Sequence, residues 1–222
     1  MEKAIKRLFN RLHIKGSDLI MVKSTESVSP LFIKSLYDFL EKYFAEGTVS
    51  VIDDCQFNTH VLTKDKMVPI NNQERFVLSS GKMMQLLTLD PKSRFVSHPS
   101  LMIGSIGKYA NYLARPHDLD FPYGKHSVFQ DFYDLDGYLL VVGAKHTMYE
   151  AKYALNNHDP IIFKNASYQN GSVVEYLDFS CDYDALHTLI FSNGIFLYEV
   201  VDEVVIYAVS YRDYINYIEE RL

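Results

Sequence analysis

The sequence predicts one α/β domain over residues 1–222, with a mixed or mostly parallel central sheet flanked by helices and a strand-rich C-terminal portion. Three observations lead there. Residues 2–53 alternate helix-like and strand-like patterns, the run Tyr138–Gly143 is a continuous apolar strand, and the last third holds several short strand-like segments.

Residues 2–13 put Ile5, Leu8, Phe9 and Leu12 on one helical face with Lys and Arg opposite, and Gly16 closes that helix. Asp18–Val22 reads as a short buried strand. A polar loop, Lys23-Ser24-Thr25-Glu26-Ser27, follows it, and a helix opens near Ser29-Pro30. Strand, hydroxyl-rich loop and helix is a geometry that offers backbone N–H groups to an anion, although a plain helix cap uses the same residues. The loop has no glycine and is not a P-loop. The helix from Pro30 runs to Ala45, Gly47 ends it, and Thr48–Asp53 is a second strand. Residues 54–78 read as a long loop, of a length uncommon without a role at a site. Ser79-Ser80-Gly81 precedes a short helix holding Met83, Met84, Leu86 and Leu87. After Tyr138–Gly143 the pattern predicts a helix over about Thr147–Asn156 and strands at Ile161–Lys164 and Ser172–Phe179. A helix near Asp182–Ser192, strands at Phe196–Val201 and Glu203–Val209, and a closing helix Tyr211–Leu222 complete the chain.

Composition narrows the function. Hydrophobic content of 48% and charged content of 23% are those of an ordinary globule, and Tyr 17 and Phe 14 beside Trp 0 make an aromatic core. A net charge of -6 without a Lys/Arg cluster argues against nucleic acid. No segment is apolar for long enough to span a bilayer, and the N-terminus lacks the apolar core of a signal sequence. Cys55 and Cys181 stand far apart without a CxxC, as reduced, buried thiols would. The expectation is a cytoplasmic protein, with a homo-oligomer left open.

The stretch Arg94–Gly143 gathers the candidate chemistry: His98-Pro99, then His117-Asp118-Leu119-Asp120 before a Pro-Tyr-Gly turn. A carboxylate beside an imidazole can fix its tautomer and raise its basicity, as a general base requires. A lone His is more often a satisfied structural residue than a catalyst, and His13, His60, His158 and His187 are read so. Gly104-Ser105-Ile106-Gly107 lacks the spacing of a nucleophile elbow, and no G-x-G-x-x-G follows a strand. His146 and Glu150 are two candidate ligands and do not make a zinc site. His98, His117 and His126 could converge on a metal, which leaves a metal hydrolase as a minor rival.

His117-x-x-Asp120-x-x-x-Gly124-x-x-Ser127 resembles the H-x-L-D then G-x-x-S-P signature of the aminoglycoside 3-N-acetyltransferase family. Arg94-x-x-x-His98-Pro99 and Gly104-x-x-Gly107-x-x-Ala110 resemble that family's R-S-x-H-P segment and the helix after it. Ser80-x-x-Met83 or Met84 is similar to its T-P-S-x-M-G run, and Gly16-Asp18 with Val22-Lys23-Ser24-Thr25-x-Ser27 to its G-D-x-L-x-V-H-S-S loop. Ala208-x-x-Tyr211-Arg212-Asp213-Tyr214 resembles its closing strand and helix. The matches run in order through nearly the whole chain.

The resemblance implies an acetyl-CoA-dependent N-acyltransferase, a divergent and shortened member, acting on a small-molecule amine acceptor. His117 would be the general base; Asp120 matches the aspartate of the signature, and its role as an orienting carboxylate is our own expectation from its nearness to the imidazole. Ser24, Thr25 and Ser27 would face the CoA pyrophosphate or pantetheine, and Gly124 and Ser127 would form the turn after the base, structural or close to the cofactor. No metal is implied. Lys23 stands where the family has His, Val128 where it has Pro, and Tyr149 and Lys152 fall near the His and Glu of a T-x-L-H-x-x-E helix. With those changes, an amino-sugar, nucleotide-linked and made for a surface polysaccharide, is as plausible an acceptor as an aminoglycoside. The rival from another class is a degenerate relative serving as a binding or assembly protein.

Overall fold

A computed structural model describes residues 1–25, 27–54, 81–143, 149–158, 160–169, 172–192 and 194–222. The long loop predicted over 54–78, Cys55, His60, Ser79, Ser80 and residues 145–148 lie outside them, save Asp54.

In chain order the elements are α1 (Glu2–Arg11), β1 (Leu19–Ser24), α2 (Pro30–Tyr43), β2 (Thr48–Asp54), α3 (Lys82–Thr88), β3 (Arg94–Ser97) and β4 (Leu101–Gly107). Then come α4 (Ala110–Leu113), α5 (Val128–Asp134), β5 (Tyr138–Val142), a 3-10 helix (Tyr149–Asn157), β6 (Ile162–Gln169) and β7 (Ser172–Phe179). The chain ends with α6 (Tyr183–Ser192), β8 (Leu197–Val201), β9 (Val204–Ser210) and α7 (Tyr211–Glu219).

Among the described residues seven strands form one sheet in the order β3-β4-β2-β1-β5-β9-β8, and β6 and β7 form a separate hairpin. Only β2, β1 and β5 run parallel to their neighbours within that trio; the flanking pairs are antiparallel, so the sheet is mixed. Apolar residues alternate between two cores. Ile20, Val22, Leu140 and Val142 face a layer with α1, α2 and α3, while Leu19, Met21, Leu139 and Val141 face one with α5, α6 and α7. Burial on both faces is why β1 and β5 read as unbroken apolar runs.

The expected strands and helices of the first fifty residues and of the C-terminal third are present, with shifted ends. The helix expected at Thr147–Asn156 is the 3-10 helix from Tyr149, and the strand at Ile161–Lys164 extends to Gln169. The sequence reading assigned neither β3 nor β4, which pair antiparallel with each other and, through β4, with β2. Buried Ser50 and Ser105 satisfy each other across that last pair, hydroxyl to hydroxyl at 2.7 Å. At Gly104 an added Cβ would overlap Leu87 and Phe95, so the side chains of α3 and β3 close over a bare backbone. Among the described residues no helix is long and apolar enough to cross a membrane.

Helix α1 is fixed by Phe9, whose ring lies 5.0 Å from Tyr43, 5.6 Å from Phe44 and 6.2 Å from Phe39 between centroids. Phe9→Ala removes that wedge, and chemical denaturation is expected to show a loss of about 3–5 kcal/mol with an unchanged m-value.

Candidate active site

The carboxyl ends of β1 and β5 lie side by side, Ser24 in register with Val142. In open α/β sheets the crevice beyond such strand ends is where ligands bind. Thr25 donates its N–H to the Val142 carbonyl at 3.0 Å, and its hydroxyl meets that of Ser27 at 2.9 Å. Gly143 has φ of +101°, and a Cβ there would overlap the Thr25 side chain, so the two loops are packed backbone to side chain. Ser29 then caps α2, accepting from Phe32 N–H at 3.2 Å, with Pro30 at the first helical position. A cavity of about 580 Å³ opens here, with Ser27, Ser29 and Gly143 on one side and the β8–β9 turn, Asp202-Glu203, on the other. Ser24, Thr25 and Ser27 therefore stand in one loop before α2, while the opposite wall of the cavity is acidic.

The histidine loop runs between α4 and α5. His117 Nε2 lies 3.0 Å from Asp131 Oδ2, with the two side chains 8% and 2% exposed. Arg115 donates to the other oxygen of Asp131 at 2.6 Å. Burial works against the Arg115 charge, but Asp131 outweighs it and raises the guanidinium above its usual range. An ionised carboxylate only accepts, so Nε2 carries the imidazole proton and Nδ1 carries the lone pair. That Nδ1 is buried and has no hydrogen-bond partner among the described residues.

Asp120 takes a different place from the one expected. Its Oδ1 accepts from the Leu177 N–H at 2.7 Å, so the carboxylate hydrogen-bonded to the imidazole is Asp131, fourteen residues beyond His117. Phe121 N–H donates to the Leu177 carbonyl, also at 2.7 Å, and its ring stacks on Phe179 at 4.7 Å. Asp120 and Phe121 thus clip the loop to β7. Gly124 and Ser127 serve the turn and the next helix. Ser127 Oγ donates to the Gly124 carbonyl at 2.6 Å and accepts from Phe129 N–H at 3.2 Å as the cap of α5. A Cβ on Gly124 would press against Phe121.

His98 lies beneath the loop. Its Nδ1 accepts from Ser100 N–H at 3.0 Å, its Nε2 donates to the Leu119 carbonyl at 2.8 Å, and its ring meets Tyr176 edge-on. With one nitrogen donating and the other accepting, His98 has no lone pair left for the metal that the minor rival requires.

Two buried ion pairs, neither foreseen from the sequence, border these loops. Lys23 meets Glu150 at 3.3 Å, and Lys152 meets Asp178 at 2.8 Å; the four side chains are 0–6% exposed. The Lys23 ammonium lies 5.3 Å from the Tyr149 ring centroid, and that of Lys152 lies near the rings of Tyr123, Phe163 and Tyr183 at 5.1, 5.8 and 5.7 Å. Burial pushes the Asp178 carboxyl up, and Lys152 offsets part of that. Removing one partner of such a pair costs about 3–5 kcal/mol.

Residues 63–192, more than half of the chain, match the family model described as aminoglycoside 3-N-acetyltransferase. Among solved structures, the aminoglycoside acetyltransferase AAC(3)-IIb is similar at 16% identity with a TM-score of 0.77, over 100% of this chain and 97% of that one. AAC-IIIb, solved as a binary complex with CoASH, matches at 15% identity and TM-score 0.75, over 99% and 95%. AAC-VIa, solved with sisomicin, matches at 14% identity and TM-score 0.74, over 99% and 98%. At these identities the likeness is one of fold. No curated protein matches by sequence.

The tautomer is directly measurable. Long-range nitrogen–proton NMR at neutral pH is expected to show His117 protonated at Nε2, and Asp131→Asn to shift it toward the other tautomer, since an amide can donate. A wild-type His117 protonated at Nδ1 would contradict the geometry.

Proposed function

This chain belongs to the aminoglycoside 3-N-acetyltransferase family, and from that premise we propose that it transfers the acetyl group of acetyl-CoA to an amino group of a sugar or aminoglycoside-like acceptor, with His117 as general base. The observation that carries this reading is the buried Nδ1 of His117, which holds a lone pair with no partner among the described residues while Asp131 holds the opposite nitrogen. A neutral imidazole nitrogen with an open lone pair can accept a proton, as a general base must.

In the proposed reaction the acceptor nitrogen attacks the thioester carbonyl, forming the C–N bond as His117 Nδ1 takes the proton. The C–S bond then breaks, and the proton passes from the imidazolium to the departing thiolate. Asp131 fixes the ring and stabilises its charged form. Arg115 holds the other oxygen of Asp131 at 2.6 Å. Ser24, Thr25 and Ser27, with the first turn of α2, would hold the phosphates of the donor at the helix N-terminus. Asp120 keeps the loop on β7, and Gly124 and Ser127 set the turn that leads into α5. The complex of the similar AAC-IIIb with CoASH supports the choice of donor.

His117→Ala is expected to leave acetyl-CoA affinity within about 3-fold of the wild type while acceptor-dependent thiol release falls about 10²–10⁴-fold. Titration calorimetry and a thiol assay on the same preparation check both. Equal loss of binding and turnover would remove His117 from the role of base.

A further inference from the structure

The acyl-transfer reading needs the His117 ring in one orientation and one tautomer, and the group that holds the ring must itself be held. Asp131 meets the imidazole through Oδ2. Its other oxygen must find a donor inside the protein, because the side chain is only 2% exposed. Arg115 is that donor, with Nη2 at 2.6 Å from Oδ1, closer than the 3.0 Å between Oδ2 and His117. The carboxylate therefore spans two donors, one on each oxygen. It cannot turn about its Cβ–Cγ bond without letting go of both.

The guanidinium is fixed in its turn. Its carbon lies 4.0 Å from the centroid of the Tyr112 ring, and Nη1 reaches the Tyr112 carbonyl at 3.4 Å. A flat cation backed by a ring presents its edge in a set direction, which a lysine ammonium in the same place does not. Tyr112 is placed by α4, whose Ala110 and Leu113 are buried. Helix α4 thus reaches His117 along two routes, through the chain and through Arg115 and Asp131. An arginine–carboxylate pair with both partners in water contributes little to stability. This pair is uneven: Arg115 is 41% exposed, and the buried partner is the one that touches the imidazole.

We propose, resting on the acyl-transfer reading, that Arg115 is a positioning residue of this reaction. Acting through Asp131 and backed by the Tyr112 ring, it keeps His117 protonated at Nε2 and leaves the lone pair on Nδ1 for the amine's proton. Without Arg115, Oδ1 is buried with no donor, which is costly, and the carboxylate relieves that by turning toward water. Nε2 then loses its acceptor, and the tautomer protonated at Nδ1 becomes populated. That form cannot act as the base. Arg115 touches neither reactant in this role, so its loss falls on the chemical step and not on binding.

The test is Arg115→Ala, read in three ways. Long-range nitrogen–proton NMR at neutral pH is expected to show the Nδ1-protonated form of His117 rising above its wild-type level. Thiol release from acetyl-CoA with glucosamine is expected to show kcat lower by roughly 10- to 100-fold. KM for both substrates should stay within about 3-fold of the wild type. Ethylguanidinium restores the atoms that the substitution removes and can enter from the exposed side. It is expected to return both the tautomer and kcat, where ethylammonium does not. An unchanged tautomer in Arg115→Ala overturns the proposal whatever happens to turnover, and so does equal rescue by the two cations. A wild-type protein that transfers no acetyl group would remove the acyl-transfer reading, and the tautomer would then decide the positioning role by itself. Should the variant not fold, carbon-detected NMR of the wild type decides: slow rotation of Arg115 about its Nε–Cζ bond supports the clamp, and free rotation overturns it.

Discussion

Leu177 holds the histidine loop by both of its backbone groups. Its N–H goes to the Asp120 carboxylate and its carbonyl accepts from Phe121, so a loop that has no regular structure gains the equivalent of a strand pairing. From that clamp the rest of the site follows. His98 supports the same segment from below through the Leu119 carbonyl. Gly124 and Ser127 then turn the chain into α5, and the first turn of α5 delivers Asp131 to His117. The carboxylate that touches the imidazole belongs to a helix whose start depends on the loop being where β7 keeps it.

The hairpin carrying Leu177 is itself outside the main sheet, so its position needs another anchor. Lys152 supplies one, reaching from the 3-10 helix to Asp178 in an enclosed, aromatic setting. Two residues earlier the same helix meets β1 through Glu150 and Lys23, one residue before the hydroxyl loop. Tyr211 closes the arrangement by donating to the Glu150 carbonyl at 2.9 Å. One short helix thereby ties the loop proposed for the acyl donor to the loop that carries His117. Buried ion pairs contribute little net stability compared with apolar packing, but they tolerate few alternative geometries.

Much of this was legible in the sequence, and the exceptions have physical causes. The runs at β1 and β5 were plain because both faces are covered, and α2 was plain from its periodicity, Ser29 and Pro30. Strand β4 was hidden because Gly104 and Ser105 interrupt its apolar pattern, one to admit neighbouring side chains and one to pair with Ser50. Helix α5 spans seven residues, too few for a periodic signal. Missing it meant missing Asp131, and Asp120 was assigned to His117 because it was near in sequence. A carboxylate in the first turn after a Ser cap was the available clue. The pairing of Lys23 with Glu150 spans 127 residues and had no local signature. Lys23 at the end of an apolar strand signalled only that some buried partner was needed.

In the proposed reaction the hydroxyl loop after β1 and the Nδ1 face of His117 serve one chemistry. A crystal structure of the protein with CoA tests that most directly. It should place the pyrophosphate on the segment from Thr25 to Ser29 and bring the sulfur to the Nδ1 side of the His117 ring, with Asp131 still on Nε2. CoA seated away from that segment, or its sulfur on the Arg115 side of the ring, would contradict the account.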